Sequence, residues 1–87
     1  MQVAFKDSFA KDLVKLDLAT RNKVKRVIEQ VEAANTFRAI AQTKKLKGSP
    51  FYYRIRCGDY RIGLKIEADA VIFIRCLHRK EMYRYFP

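Results

Sequence analysis

The sequence has few of the residues that metal sites, disulfide frameworks and phosphate-binding loops require. Among its 87 residues are 1 histidine and 2 cysteines. Cys57 and Cys76 are too few for a disulfide framework, and His78 does not join them at metal-ligand spacing. The 3 glycines are scattered, so they form no glycine-rich phosphate loop. We therefore expect a domain that uses neither a metal ion nor an organic cofactor.

Long apolar stretches are also missing. No apolar run approaches the roughly 20 residues that a membrane-spanning helix needs. Residues 1–20 lack the apolar stretch and the cleavage site of a secretory signal peptide. We therefore expect a cytoplasmic protein.

Acidic residues are scarce. The chain has 9 Asp and Glu against 19 Lys and Arg, which gives a formal net charge of +10. Its apolar fraction of 49% is too high for a disordered polyelectrolyte, and its length suits a single domain over residues 1–87. The electrostatic potential of so basic a domain attracts polyanions. The expected partners are nucleic acid, an acidic protein or an anionic membrane surface, in that order.

Hydrophobic periodicity predicts a strand and two helices in the first part of the chain. Residues 1–5 alternate weakly, as in a strand. Phe9, Leu13 and Leu16 then recur at helical spacing, with Asp7 or Ser8 available as the cap. A second helix begins near residue 20, and its apolar stripe consists of Val24, Val27, Ile28, Val31 and Ala34. The short link between the helices predicts an antiparallel helical hairpin.

The second part of the chain changes period. Residues 35–50 have no periodicity and are predicted to form a basic loop. From residue 51 the period becomes two, and turn residues divide three strands near 51–57, 60–67 and 70–78. Residues 79–87 form either a short helical turn or a free end. The predicted order is β-α-α-β-β-β, an α+β fold with the helical hairpin packed on a mainly antiparallel sheet.

The alternation along the strands predicts one strongly basic sheet face. Arg54, Arg56, Arg61 and Lys65 all lie opposite the apolar positions that the helices cover. If Gly58 and Asp59 form a two-residue turn, Arg56 faces Arg61 directly. Like charges at facing positions are destabilising, and a bound anion would remove that penalty. The simpler alternative is a solvated basic face that binds nothing.

The same register places Arg54 opposite Gly63, where a missing side chain leaves space for a ligand backbone. In the third strand, parity from Ala70 places Cys76 and His78 on one face, which we expect to be the basic one. His78 is the candidate proton acceptor, because an imidazole can take up a proton near neutral pH. Tyr83 offers a stacking surface for an unpaired base. The two cysteines are interpreted as small core residues.

Four short runs resemble the RelE branch of the RelE/ParE superfamily, the toxins of type II toxin–antitoxin modules. The resemblance extends over essentially the whole chain. The runs are Leu46-Lys47-Gly48, Tyr53-Arg54-Ile55-Arg56, Gly58-Asp59-Tyr60-Arg61 and His78-Arg79-Lys80-Glu81-Met82-Tyr83.

The resemblance implies a metal-free endoribonuclease that cuts messenger RNA, in many members within the ribosomal A site. The 2′-hydroxyl of the RNA attacks the adjacent phosphate. The family's functional positions imply catalytic roles for Arg56, Arg61, His78, Arg79 and Tyr83. The residues expected to bind RNA are Lys44, Lys45, Lys47, Arg54, Lys65 and Lys80. The implied partners are a RelB-like antitoxin, messenger RNA and the ribosome, without a membrane or a metal.

The chain departs from the family pattern in one respect. The best-known member has lysines where this chain has Arg54 and Arg56, and an arginine cannot deprotonate to act as a base. A lysine-base mechanism at these positions does not transfer, which leaves His78, Tyr83 or no side-chain base. Two other functions remain open, namely DNA gyrase inhibition as in the ParE branch and passive RNA binding.

Overall fold

The computed structural model describes residues 1–37, 40, 43–45 and 51–87. In chain order its elements are β1 (Gln2–Phe5), α1 (Asp7–Val14), α2 (Leu18–Ala33), β2 (Thr43–Lys45), β3 (Tyr52–Cys57), β4 (Tyr60–Glu67), β5 (Ala70–His78) and α3 (Met82–Tyr85). The strands form one sheet in the order β1-β5-β4-β3-β2. β1 runs parallel to β5, and the other neighbouring pairs are antiparallel. The predicted α+β class and helix-on-sheet arrangement are confirmed.

One strand was not predicted. β2 lies within residues 35–50, which the sequence analysis assigned to a loop, and pairs with β3 through Thr43 opposite Ile55. Its three residues, Thr-Lys-Lys, are all polar and show no alternation, so a period-two pattern cannot reveal them. Lys47, which was predicted to bind RNA, lies outside the described residues.

The helix boundaries and caps also differ from the prediction. α1 ends at Val14, and Leu16 is buried in the link that follows it. The predicted Asp7 or Ser8 cap is wrong, because α1 begins after Lys6 without a side-chain cap. α2 is capped by Asp17, whose Oδ1 accepts a hydrogen bond from the backbone N–H of Thr20 at 2.8 Å. No helix in the described part of the chain is long and apolar enough to cross a membrane.

The core lies between the two long helices and one face of the sheet. Its fully buried side chains include Phe9, Val24, Val31, Ile55, Ile62, Leu64, Val71 and Phe73. Cys57 and Cys76 are buried in the same cluster, as predicted. Burial raises the pKa of both thiols, that of Cys76 to about 12. Both side chains are therefore neutral at physiological pH.

The edge of β5 is completed by α1. β1 pairs only with residues 70–73 of β5. Beyond that point Ser8 Oγ donates to the carbonyl of Ile74 at 2.6 Å, and Asp12 Oδ2 accepts from the N–H of Cys76 at 2.9 Å. Asp12 also accepts two hydrogen bonds from Arg75, at 2.8 and 3.1 Å. Polar side chains of α1 thus satisfy backbone groups that a longer β1 would have paired.

Candidate nucleic-acid interface

The predicted register of the basic face is confirmed. Cys57 pairs with Tyr60 across the turn, so Arg56 faces Arg61 and Arg54 faces Gly63. On the other side of β3, Lys44 of β2 faces Arg54. Because directly facing residues project to the same side of a sheet, these cationic side chains share one face. We call this side of the sheet the basic face.

A shallow cleft of ≈ 370 Å³ lies on the basic face. Its lining consists of Thr43, Lys44, Arg54, Arg56 and Arg61. Among the described residues, the lining carries four cationic groups from three neighbouring strands and no carboxylate. Such a site attracts a phosphate group strongly, because guanidinium groups offer paired donors that match phosphate oxygens. β2 contributes two of the lining residues, Thr43 and Lys44. Lys44 was predicted to bind RNA, but the strand that places it beside Arg54 was not predicted.

Arg61 is held in place by the turn between β3 and β4. Its Nη1 donates to the carbonyl oxygens of Gly58, at 2.8 Å, and Tyr60, at 2.9 Å. Its Nε and Nη2 atoms make no hydrogen bond to the described residues, and the Arg61 side chain lines the cleft. The guanidinium is therefore oriented before any ligand arrives, which lowers the entropic cost of binding an anion.

Tyr83 extends the site from the C-terminal helix. Arg54 Nη1 donates to the Tyr83 hydroxyl, and the guanidinium carbon lies 5.1 Å from the centre of the ring. The ring remains 73% exposed. A hydrogen-bonded phenol and an open aromatic surface thus lie directly beside the cleft.

The other basic candidates lie around the cleft rather than in it. Lys65 is on the same face, but its Nζ is 3.9 Å from Glu67 and 6.0 Å from the Tyr52 ring centre. Arg79 and Lys80 are exposed in the turn after β5. The N–H of Arg79 donates to the carbonyl of Asp59 at 2.8 Å, which brings its backbone to the β3–β4 turn. Lys45 is exposed on β2, but it faces Tyr53, which packs against the core, so Lys45 projects to the opposite side of the sheet from the basic face.

His78 does not lie on the basic face, and the parity-based placement is wrong. The pairing of β4 with β5 shifts by one residue between Gly63, which faces Arg75, and Leu64, which faces Phe73. This bulge reverses the parity of the rest of β5, so His78 faces Tyr60 with ring centres 5.5 Å apart. It lines a separate cavity of ≈ 450 Å³, together with Leu16, Cys76 and Glu81 among others.

The space above Gly63 is also occupied, contrary to expectation. A Cβ atom at this position would lie 2.8 Å from three ring carbons of Phe86. The missing side chain therefore accommodates the C-terminal segment of the chain itself and leaves no room for a ligand backbone.

Because His78 does not lie on the basic face, its substitution should have little effect on the rate of a reaction at the cleft. If the chain cleaves RNA as the resemblance implies, His78→Gln should do so at close to the wild-type rate, because the imidazole and the cleft lie on opposite faces of the sheet. A general acid or base normally contributes about 10²–10⁴ to the rate. Single-turnover cleavage rates of the two proteins decide the point. A loss of about 10² or more would restore His78 to the catalytic site.

Known proteins resemble this chain in sequence and in fold. Residues 3–83 match the family described as "ParE toxin of type II toxin-antitoxin system, parDE". The chain is 43% identical to Toxin RelE3 of Methanocaldococcus jannaschii over the full length of both proteins. It resembles the toxin in a crystal structure of a RelB-RelE antitoxin-toxin complex from Methanococcus jannaschii, with 42% identity and a TM-score of 0.83 over 97% of this chain and 99% of that one.

A more distant structure shows the same fold. In an archaeal RelE-RelB complex from Pyrococcus horikoshii, the matched chain is 21% identical, with a TM-score of 0.75 over 93% of this chain and 97% of that one. The chain therefore belongs to the RelE/ParE superfamily of type II toxins, on its RelE branch.

Proposed function

We propose that this toxin is an endoribonuclease that cleaves messenger RNA in the ribosomal A site and so stops translation in the cytoplasm. The observation that carries the proposal is the cleft, in which Arg56 faces Arg61 and Lys44 faces Arg54 without any carboxylate in the lining. A surface selected only for stability would not bring four cations together.

The proposed reaction is an internal transesterification. The 2′-oxygen of the RNA forms a bond to the adjacent phosphorus, and the bond from phosphorus to the 5′-oxygen of the next nucleotide breaks. The products are a 2′,3′-cyclic phosphate and a 5′-hydroxyl. Arg56 and Arg61 bind the non-bridging phosphate oxygens, whose negative charge increases in the transition state. Removing one such preorganised donor typically costs about 10²–10³ in rate.

Proton transfer is assigned to Tyr83. The departing 5′-oxygen needs a proton, and Tyr83 is the hydroxyl that Arg54 holds beside the cleft. The proton of the 2′-hydroxyl passes to water, because the described cleft lining contains neither an imidazole nor a carboxylate. Arg79 binds the same phosphate from the β5 turn. Lys44 binds the flanking backbone on β2, and Lys65 and Lys80 do so at the margins of the basic face.

The proposal is tested by incubating ribosomes and messenger RNA with the purified toxin and mapping new 5′ ends. Cuts within the A-site codon are expected, with 5′-hydroxyl ends and cyclic phosphates on the upstream fragments. Intact RNA would contradict the proposal.

A second candidate function is inhibition of DNA gyrase. It is favoured by the match to a family described by its ParE toxin. In that case the basic face grips a protein instead of RNA, and the Tyr83–Arg54 pair has no chemical role. Adding gyrase and supercoiled DNA to the assay separates the two functions, since arrested gyrase with intact RNA selects the second.

We further propose a RelB-like antitoxin as partner. Two of the similar solved structures are described as complexes of RelE with RelB. An acidic or amphipathic helix complements the basic face or the outer edge of β2. We expect nanomolar or tighter binding that weakens as salt is raised, because charge pairing contributes to it. Titration calorimetry with the product of the neighbouring reading frame measures this. Affinity that does not change with salt would contradict the electrostatic part.

A further inference from the structure

The C-terminal segment (residues 82–86) packs against the basic face rather than extending into solvent. Met82 is 1% exposed and Phe86 is 5% exposed, although they lie at the end of the chain. The N–H of Phe86 donates to the carbonyl of Met82 at 3.0 Å, which closes one helical turn. Tyr83 contacts Arg54 and Phe86 contacts Gly63, and Arg54 and Gly63 face each other on β3 and β4. The positions of Tyr83 and Phe86 on the sheet are therefore coupled.

Phe86 lies over Gly63, in the middle of the sheet. Gly63 is flanked by Arg54 on β3 and Arg75 on β5, so it is the position without a side chain in a row of long cationic ones. Its backbone conformation does not require glycine, but a Cβ atom would overlap the Phe86 ring at 2.8 Å. The ring also meets Tyr52 edge to face, with centres 5.6 Å apart.

The polar contacts of the C-terminal segment contribute less to its docking than the apolar contact of Phe86 with the sheet. The Tyr83 side chain is exposed and contacts Arg54 at the surface, where hydrogen bonds compete with water. The guanidinium of Arg75 lies 5.9 Å from the Tyr85 ring. Burial of the Phe86 ring removes far more apolar area from water than either of these contacts, so together with the buried Met82 it provides most of the free energy of docking.

We propose that Phe86 is a positioning residue, whose contact with Gly63 holds the Tyr83 hydroxyl at Arg54 beside the cleft. The inference rests on the proposed function in that it assigns Tyr83 a role on RNA. Phe86 itself is mostly covered and does not touch the substrate. Its effect on the reaction therefore passes entirely through Tyr83.

A double-mutant cycle tests this coupling. We expect Tyr83→Phe and Phe86→Ala each to lower single-turnover cleavage by about 10²-fold at saturating ribosomes, with little change in binding. The double variant should be no slower than Tyr83→Phe alone, because Phe86 acts only by positioning the Tyr83 hydroxyl, which that variant already lacks. Phe86→Leu, which keeps an apolar contact, should recover most of the rate. Effects that multiply in the double variant would overturn the proposal.

The glycine gives an independent variant. Gly63→Ala introduces the overlapping Cβ and should displace the Phe86 ring, lowering the rate as Phe86→Ala does. The matched control is Phe51→Ala, since Phe51 is 56% exposed and lies outside the cleft lining. That variant should cleave normally. A Gly63→Ala protein with the wild-type rate would contradict the proposal.

A readout independent of cleavage separates this inference from the proposed function. In NMR spectra of the free protein, Tyr83 ring protons should show nuclear Overhauser contacts to Arg54, and Phe86→Ala should abolish them. If the wild type cuts no RNA, the proposed function fails while these spectra still decide the positioning role. If the contacts persist in Phe86→Ala, the positioning role is wrong whatever the activity.

Discussion

Arg61→Ala should lower single-turnover RNA cleavage by about 10²–10³-fold while leaving the fold intact. Arg61 is oriented by the turn carbonyls and faces Arg56 across the strand pair, so its loss removes one of the three guanidinium groups that line the cleft. The cost appears mainly in the chemical step, because the charge on the phosphate oxygens grows in the transition state. Quenched-flow cleavage on programmed ribosomes measures the rate.

Stability and charge provide the controls for this variant. Two hydrogen bonds are lost, but water can replace them at the surface turn, and repulsion from Arg56 is relieved. The melting temperature should therefore stay close to that of the wild type. Arg26→Ala removes an equal charge from the exposed side of α2 and should cleave normally. A variant that cleaves normally, or that melts far earlier than Arg26→Ala, would remove Arg61 from the catalytic site.

The basic face could be predicted from sequence because its pattern is local. Apolar residues occupy every second position along β3 and β4, most positions between them are cationic, and Gly58 with Asp59 fixes a two-residue turn. Parity and turn length together determine the register of two antiparallel strands. The pairing of Arg56 with Arg61 follows from these two facts alone.

Parity could not place His78. β5 lies inside the sheet, and its outer positions other than Arg75, including Ile72 and Leu77, are apolar like its core positions. A strand that is apolar on both sides shows no alternation that would reveal a bulge. The register passes over Ile74 and changes the face of every residue after it. One unpaired residue therefore separates a predicted proton-transfer group from the basic face.

Contacts between distant segments were also beyond the sequence patterns. β2 depends on backbone pairing with β3, and its side chains carry no signal of a strand. Phe86 reads as an aromatic residue near the end of a polar segment, and Gly63 as an opening for a ligand. Only the folded structure shows that the Phe86 ring occupies the space that the missing Gly63 side chain leaves. Asp12 likewise reads as a polar position on an amphipathic helix, although it is 5% exposed.

Asp12→Ala should destabilise the protein by about 3 kcal/mol, the largest stability loss that we expect from a single polar side chain here. The change leaves the N–H of Cys76 without its partner and breaks both hydrogen bonds to Arg75. In the folded wild type the hydrogen bond from Asp12 raises the pKa of the Arg75 guanidinium. Arginine stays charged without this partner, so in Asp12→Ala the guanidinium must hydrogen-bond to water instead. The partial exposure of Arg75 places the expected loss at the lower end for a broken buried ion pair.

Urea unfolding followed by circular dichroism measures the loss, which corresponds to a melting temperature about 10–20 °C lower for a domain of this size. The matched control is Asp7→Ala, which removes an exposed carboxylate from the first turn of the same helix and should cost far less. Asp12→Asn keeps an acceptor for Cys76 but lacks the charge, so its stability should lie between the two. If Asp12→Ala unfolds at the same urea concentration as Asp7→Ala, the α1 carboxylate does not secure the edge of β5, and the ion pair with Arg75 contributes nothing to folding.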